Sequence, residues 1–191
     1  MRIAILILAV LAQGNIVPLS AQRVTIDRPE YRSIYDIGLR CPVQVEWQVC
    51  PSNLGTAKRD PKWKFIQDIP HPDAVATHDD FTKSGYHRGH MCPAADRSAA
   101  AKLMRSTFSL ANICPQYPAV NTGAWKTTEN AVRNLVLLGD TISVLTIPVF
   151  LNRDTTRIGT HELAVPHAFF KSAWRTGSDS IIGCWFIFNH R

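Results

Sequence analysis

Val43-Gln44-Val45-Glu46-Trp47-Gln48-Val49 alternates apolar and polar side chains at a period of two. Successive strand residues point to opposite faces, so this stretch reads as a strand with one buried face. Such a strand needs partners. Apolar, β-branched runs at 136–138, 142–150, 163–170 (around Pro166) and 181–188 offer them, the first two flanking a Gly139-Asp140 turn. Between these strands, Leu103, Met104 and Phe108 lie at near-helical spacing and predict a helix over about 96–106. A second helix opens at Gly123-Ala124-Trp125 and runs to about 134. Residues 22–40, polar and mixed with Pro29 and Gly38, read as an extended lead-in, and 66–80 and 115–122 as loops. Residues 109–113 read as a short buried strand or turn. A chain of 191 residues without repeats, linker or low-complexity segment suits a single domain, here 22–191.

Residues 1–21 stand apart. Arg2 gives a basic start, Ile3 to Ala12 is an apolar run of ten, and small residues precede Gln22. That layout predicts a signal peptide too short to span a bilayer, and with it a secreted or periplasmic protein without membrane association once the leader is removed. Losing Arg2 lowers the formal net charge from +6 to +5. The remaining basic balance favours polyanionic partners, but the charges are spread and no run resembles a disordered nucleic-acid tail. With 46% hydrophobic and 19% charged residues, the chain is globular rather than disordered.

The densest chemistry lies at His87-Arg88-Gly89-His90. Taken alone, it is compatible with a solvated turn carrying a chance histidine pair. A second polar cluster, Asn112, Gln116, Asn121, Trp125 and Glu129, follows about thirty residues on, and together the two describe one site. Phosphodiester hydrolysis needs a base for water, a cation at the phosphate and help for the leaving oxygen. Histidine titrates nearest neutrality, which suits His90 as base. Amide and carboxylate oxygens on Asn121 and Glu129 suit a hard ion such as Mg²⁺. Arginines bind phosphate through a planar fork, and Arg59 and Arg88 are the candidates.

These blocks, with Asn112-Ile113-Cys114-Pro115-Gln116 and Asn121-Thr122-Gly123-Ala124-Trp125, resemble the DNA/RNA non-specific endonucleases, whose signature is Asp-Arg-Gly-His. The resemblance covers roughly 43–130 well and 147–170 loosely. It implies an α+β fold: a ββα-metal core on a mainly antiparallel sheet with flanking helices. It implies DNA and RNA as substrates, and Mg²⁺ as cofactor with Mn²⁺ as a substitute. His90 matches the general base, Asn121 the amide that holds the metal, and Glu129 the carboxylate that positions water there. Arg88 matches the signature arginine, Asn112 a polar group that helps set the site, and Arg59, more loosely, an upstream arginine that stabilises the transition state. One position departs from the pattern: His87 stands where the signature has aspartate.

Two other readings stay open on sequence alone. His87, His90, Cys92 and Cys114 approach the spacing of a zinc site, and a basic chain rich in tryptophan would also suit a catalytically inactive nucleic-acid-binding module. Five cysteines, at 41, 50, 92, 114 and 184, leave at least one unpaired in an oxidising compartment. Cys41–Cys50 is compatible with a local bridge. Cys92–Cys114 would tie the two halves of the site together, worth roughly 3 kcal/mol for a loop of this size. Asp96 and Asp140 read as a helix cap and a turn residue.

Overall fold

The computed structural model describes residues 22–190 except 72, 74, 75, 152–154 and 179. The expected leader at 1–21 lies outside the described residues.

The frame is one six-stranded sheet. Its strands are β1 (Arg23–Asp27), β2 (Arg32–Asp36), β3 (Cys41–Val49), β6 (Ile142–Val149), β9 (Ala168–Arg175) and β10 (Ile181–Phe188), in the order β1-β2-β3-β6-β9-β10. Every neighbouring pair is antiparallel. The alternating stretch is central: Val45, Trp47 and Val49 pair with Thr146, Val144 and Ile142 of β6. Two short hairpins complete the β-structure, β4 (His87–His90) with β5 (Ile113–Gln116), and β7 (Arg157–Ile158) with β8 (Leu163–Ala164). The helices are α1 (Ala101–Ser106), α2 (Pro118–Thr122) and α3 (Ala124–Leu137).

Two apolar clusters cement this frame. In one, Trp125, Val132 and Val136 of α3 pack on Val45, Val49, Ile142, Val144, Phe169 and Ala173 of the sheet. Trp125, Val132 and Val136 recur at helical spacing, so a single stripe of α3 meets the strands. In the other, Phe65, Phe81, Met104, Phe108 and Ile113 gather beside Tyr35 and Ile37. The region bearing the two polar blocks is pinned between these clusters.

Several expectations change. Residues 22–40 form the β1–β2 hairpin, not a lead-in; their mixed polarity arises because β1 is an edge strand with mostly accessible side chains. The helix expected over 96–106 divides into a 3₁₀ turn (Ala94–Arg97) and α1. Residues 118–122, read as loop, form α2, with Pro118 at its first turn where its missing N–H costs nothing. The run at 136–138, read as a strand, closes α3. Gly139 then takes φ 108° and returns its N–H to Val136 O at 3.0 Å, a left-handed helix end open to glycine. The strand expected over 163–170 divides at Pro166, and β9 continues to Arg175.

The two expected disulfides are corrected: all five cysteines are free. Cys41 opens β3 and Cys50 follows its end, so nine extended residues hold them about 30 Å apart, far beyond bridging distance. Cys92 Sγ points toward Glu30 O at 3.9 Å and Cys114 Sγ toward Pro42 O at 3.7 Å. The thiol beside Cys114 is that of Cys41.

Candidate active site

The β4–β5 hairpin joins the two polar blocks. His87 pairs with Gln116, Arg88 with Pro115, Gly89 with Cys114 and His90 with Ile113. Gly89 is needed for space: a Cβ there would stand 2.1 Å from Gln116 Oε1 and 2.3 Å from its Cδ. Gln116 is fully buried with both amide atoms unpartnered, so it cannot swing clear into water. Alternation along β4 sends Arg88 and His90 to one face and His87 to the other.

His90 stands against Phe65 and Phe108, with ring centroids 5.2 and 4.8 Å away. Its carbonyl accepts from Trp125 Nε1 at 3.1 Å, which fixes β4 to α3. Its Nε2 is shielded and has no hydrogen-bond partner among the described residues. Burial in this aromatic pocket, and then the charge of Arg59, push His90 down to about 3. The imidazole is therefore neutral at physiological pH, with a nitrogen unclaimed by any described residue.

Arg59 arrives from the segment before Phe65, its guanidinium 4.8 Å from the Phe108 ring centroid. Its charge also lowers Arg88, after the larger effect of burial, so both cations stand on the His90 side of β4. Arg88 is anchored outward: Nε and Nη2 donate to His78 O at 3.2 and 2.7 Å, and Nη2 to Thr82 Oγ1 at 3.3 Å. Asn112 is wholly buried, and its amide is spent internally. Oδ1 accepts from Cys92 N at 2.8 Å, while Nδ2 donates to Cys92 O at 2.9 Å and Thr107 O at 3.0 Å. It acts on the site through the backbone that follows His90.

On the other face, Asn121 at the end of α2 donates Nδ2 to His87 Nδ1 at 3.1 Å. The imidazole in the signature's aspartate position thus accepts a hydrogen bond and orients this amide, leaving Asn121 Oδ1 uncommitted. No hydrogen bond joins His90 directly to Asn121 or Glu129. Glu129, one turn after Trp125 on α3, belongs to a buried charge cluster. Arg133 Nη2 is 3.7 Å from its Oε2, and Arg133 Nη1 donates to Asp96 Oδ1 at 2.8 Å. Trp47 Nε1 donates to Asp96 Oδ2 at 3.0 Å. Lys171 of β9, 1% exposed, lies 3.7 Å over the Trp125 ring. Burial raises Glu129, opposed chiefly by Lys171, and lowers Lys171 to about 8, opposed by Glu129 and Asp96.

In the sequence Trp125 and Glu129 fall in one cluster, whereas Lys171, Arg133 and Asp96 lie apart from it and from one another. Asp96 is no helix cap; its carboxylate serves residues 49 and 37 positions away. The available signal was Lys171 itself, a lysine inside an apolar strand.

Asn121 Oδ1 is the protein atom that would hold a metal, with Glu129 the carboxylate that would position water there. Few hard oxygens suit Mg²⁺, which retains much of its water. No group of three or more His, Cys, Asp or Glu side chains able to hold a metal occurs among the described residues. With Cys92 and Cys114 directed elsewhere, the four-ligand zinc arrangement is not assembled.

A profile of the DNA/RNA non-specific endonucleases matches residues 12–184. The chain is 34% identical over 154 residues to "Endonuclease G, mitochondrial" of Bos taurus, covering 75% of this chain and 52% of that protein. It is 30% identical over 167 residues to "Nuclease 1, mitochondrial" of Schizosaccharomyces pombe, covering 81% and 51%. A chain in the crystal structure of the EndoG/EndoGI complex superposes with a TM-score of 0.74 at 28% identity, covering 87% of this chain and 74% of its own. The chain thus spans about half the length of the curated relatives it matches. Those relatives are mitochondrial, which corrects the secreted or periplasmic location expected from residues 1–21. An apolar run after a basic start carries the chemistry of a leader but not its destination. The α+β frame, the mainly antiparallel sheet and the ββα unit of β4, β5 and α3 agree with the solved relative, and with the profile match over 12–184 the chain belongs to the DNA/RNA non-specific endonuclease family.

Proposed function

We propose that the protein is a metal-dependent endonuclease that hydrolyses phosphodiester bonds of DNA and RNA with little sequence preference. The observation that carries this reading is His90: a neutral imidazole with an unclaimed, shielded nitrogen beside the Arg59 guanidinium. A base must be deprotonated before it can act, and burial keeps His90 so. In the proposed reaction His90 Nε2 takes the proton of the attacking water. Arg59 faces the charge that develops on the phosphoryl oxygens. Arg88, tied to His78 O, borders the same face and supports the cationic field. Glu129 aligns water, its carboxylate facing Arg133 and the charge of Lys171. Asn121, whose Nδ2 is held by His87, would offer Oδ1 to the cation. When bound, Mg²⁺ or Mn²⁺ supplies positive charge to the phosphoryl and leaving oxygens. Phe65 and Phe108 exclude bulk water from the base. DNA and RNA both offer the required group, and none of these residues reads a base edge. The relatives favour a mitochondrial location.

The experiment is digestion of plasmid DNA and of RNA by the purified protein with Mg²⁺ and with EDTA. EDTA is expected to abolish cleavage of both. Asn121→Ala is expected to lower turnover at least 100-fold, with the melting temperature within about 2 °C of the parent because the side chain is on the surface. Full cleavage in EDTA would remove the metal from the mechanism, and unchanged Asn121→Ala turnover would move it to other ligands. Binding of nucleic acid without cleavage under every metal condition would favour the inactive module instead.

A further inference from the structure

Phe108 is ringed by more positive charge than one phosphate requires. Arg59 lies 4.8 Å from its centroid, and Arg105, in the last turn of α1, lies 5.8 Å from the same centroid and 5.9 Å from that of Trp63. Trp63 packs edge-on to Phe108 at 5.3 Å. Among the described residues every other arginine reaches a carboxylate or a backbone carbonyl. Arg28 pairs with Asp68, Arg32 with Asp27, Arg133 with Asp96 and Arg175 with Asp140, while Arg88 and Arg97 hold carbonyls. Arg59 and Arg105 have neither. Arg105 Nη1 is moreover buried without a partner. A guanidinium nitrogen withdrawn from water and left unpaired is costly, typically about 1–3 kcal/mol or more for a charged group. Two cations without a protein counter-ion among the described residues, the exposed Arg59 beside His90 and the partly buried Arg105, share one aromatic platform and are arranged for a repeated anion.

We propose that Arg105 binds the phosphodiester adjacent to the one that is cut, so that Arg59 and Arg105 together take two neighbouring phosphates of a nucleic-acid strand. This rests on the nuclease reading and extends it from the reacting phosphate to a subsite. Arg105 makes its contact through charge and the planar fork, so the site is indifferent to base sequence. Phe108 and Trp63 hold the guanidinium by cation–π contact and limit the freedom it loses on binding. Lys58, Lys62 and Lys64 on the segment that carries Arg59 and Trp63 add a diffuse field along the same strand path.

The test is anisotropy of a fluorescein-labelled single-stranded DNA oligonucleotide titrated with the protein in EDTA, across a series of salt concentrations. Each phosphate neutralised on a single strand contributes about 0.7 to the slope of log affinity against log salt. Arg105→Ala is expected to weaken binding and to lower that slope by about 0.7, equally for oligonucleotides of different sequence. Arg105→Lys keeps the charge and is expected to keep the slope. Arg175→Ala, whose arginine is already paired with Asp140, is expected to match the parent. Should Arg105→Ala melt early, Arg105→Gln carries the same expectation with the side-chain length retained. Parent-like slope and affinity in Arg105→Gln or Arg105→Ala, with a reduced slope in Arg59→Ala, would overturn the subsite and leave the nuclease reading standing. A parent protein that neither binds the oligonucleotide nor cuts DNA would overturn both.

Discussion

His90→Ala is expected to lower the rate of plasmid and RNA cleavage by at least 1,000-fold, with KM little changed. Loss of a positioned base alone accounts for about 10²–10⁴. Arg59 and the binding surface remain, so substrate is still held. The same variant has a second, independent signature in acid. His90 is pushed from 6.5 down to about 3 in the folded chain, while the unfolded chain retains the ordinary value. Between those values the unfolded state binds more protons, so the native state loses stability as pH falls from about 6.5 toward 3. Above 6.5 there is no loss, and below 3 it is complete. At pH 4 the loss is at most about 3 kcal/mol, since each unit of separation is worth about 1.4 kcal/mol. The alanine variant loses a side chain that packs on Phe65 and Phe108, so it starts less stable, but it escapes the acid loss. The stability gap measured by urea unfolding should therefore narrow from pH 7 to pH 4. A gap that stays constant would show that the ring is accessible to protons in the native state, and a variant that cuts at the parent rate would dismiss His90 as the base.

Lys171→Met is expected to cost about 3–5 kcal/mol of folding stability, the largest loss we anticipate from one substitution away from the reacting groups. The cluster formally balances Asp96 and Glu129 against Arg133 and Lys171. Methionine of similar length fills the space over Trp125 but leaves two buried carboxylates facing one arginine, and removing one member of a buried ion cluster is penalised on this scale. Glu129, already raised by burial, loses the group that most opposes that rise, and shifts further toward its protonated form. Urea denaturation of the two proteins measures the stability difference. A paired change, Lys171→Met with Glu129→Gln, is expected to recover part of the stability but not the activity. Equal stability of parent and single variant would mean that Lys171 is not a structural counter-ion.

The parts of the fold that were legible in the sequence are those whose burial is one-sided and local. β3 alternates because one face meets α3, and β10 matches its expected span, 181–188. The start of α3 was marked by Gly123-Ala124-Trp125. Residues 22–40 hid their hairpin because an edge strand leaves few apolar positions to set a period. Residues 136–138 looked like a strand because Val136, Leu137 and Leu138 are all apolar. Yet Val136 alone is buried, and Leu137 and Leu138 end the helix 71% and 83% exposed. In the site, the motif residues were visible as a pattern, but the supports were not. Asp96, Lys171 and Trp47 come from three distant segments, and only the folded sheet brings a tryptophan N–H, a lysine and an arginine to the same carboxylates. The Cys41–Cys50 pair failed because closeness in the chain across an extended strand is distance in space, and the Cys92–Cys114 pair because the two thiols point to different backbone carbonyls.

One consequence follows from the way α3 is held. Within two turns it fastens the backbone of His90, the proposed base, through Trp125 and carries Glu129, the carboxylate proposed to align water, while Val132 and Val136 clamp its far half to the sheet. The helix behaves as a ruler laid between the two halves of the reaction. Anything that slides it along the strands moves both marks at once, so on the proposed mechanism the spacing of His90 and Glu129 is inherited from hydrocarbon packing a full two turns away. Conservative trimming of Val136 would then show itself as a kinetic defect before it shows as unfolding, because on the proposed mechanism the seating of a helix with no reacting atoms in its far half sets the spacing of His90 and Glu129.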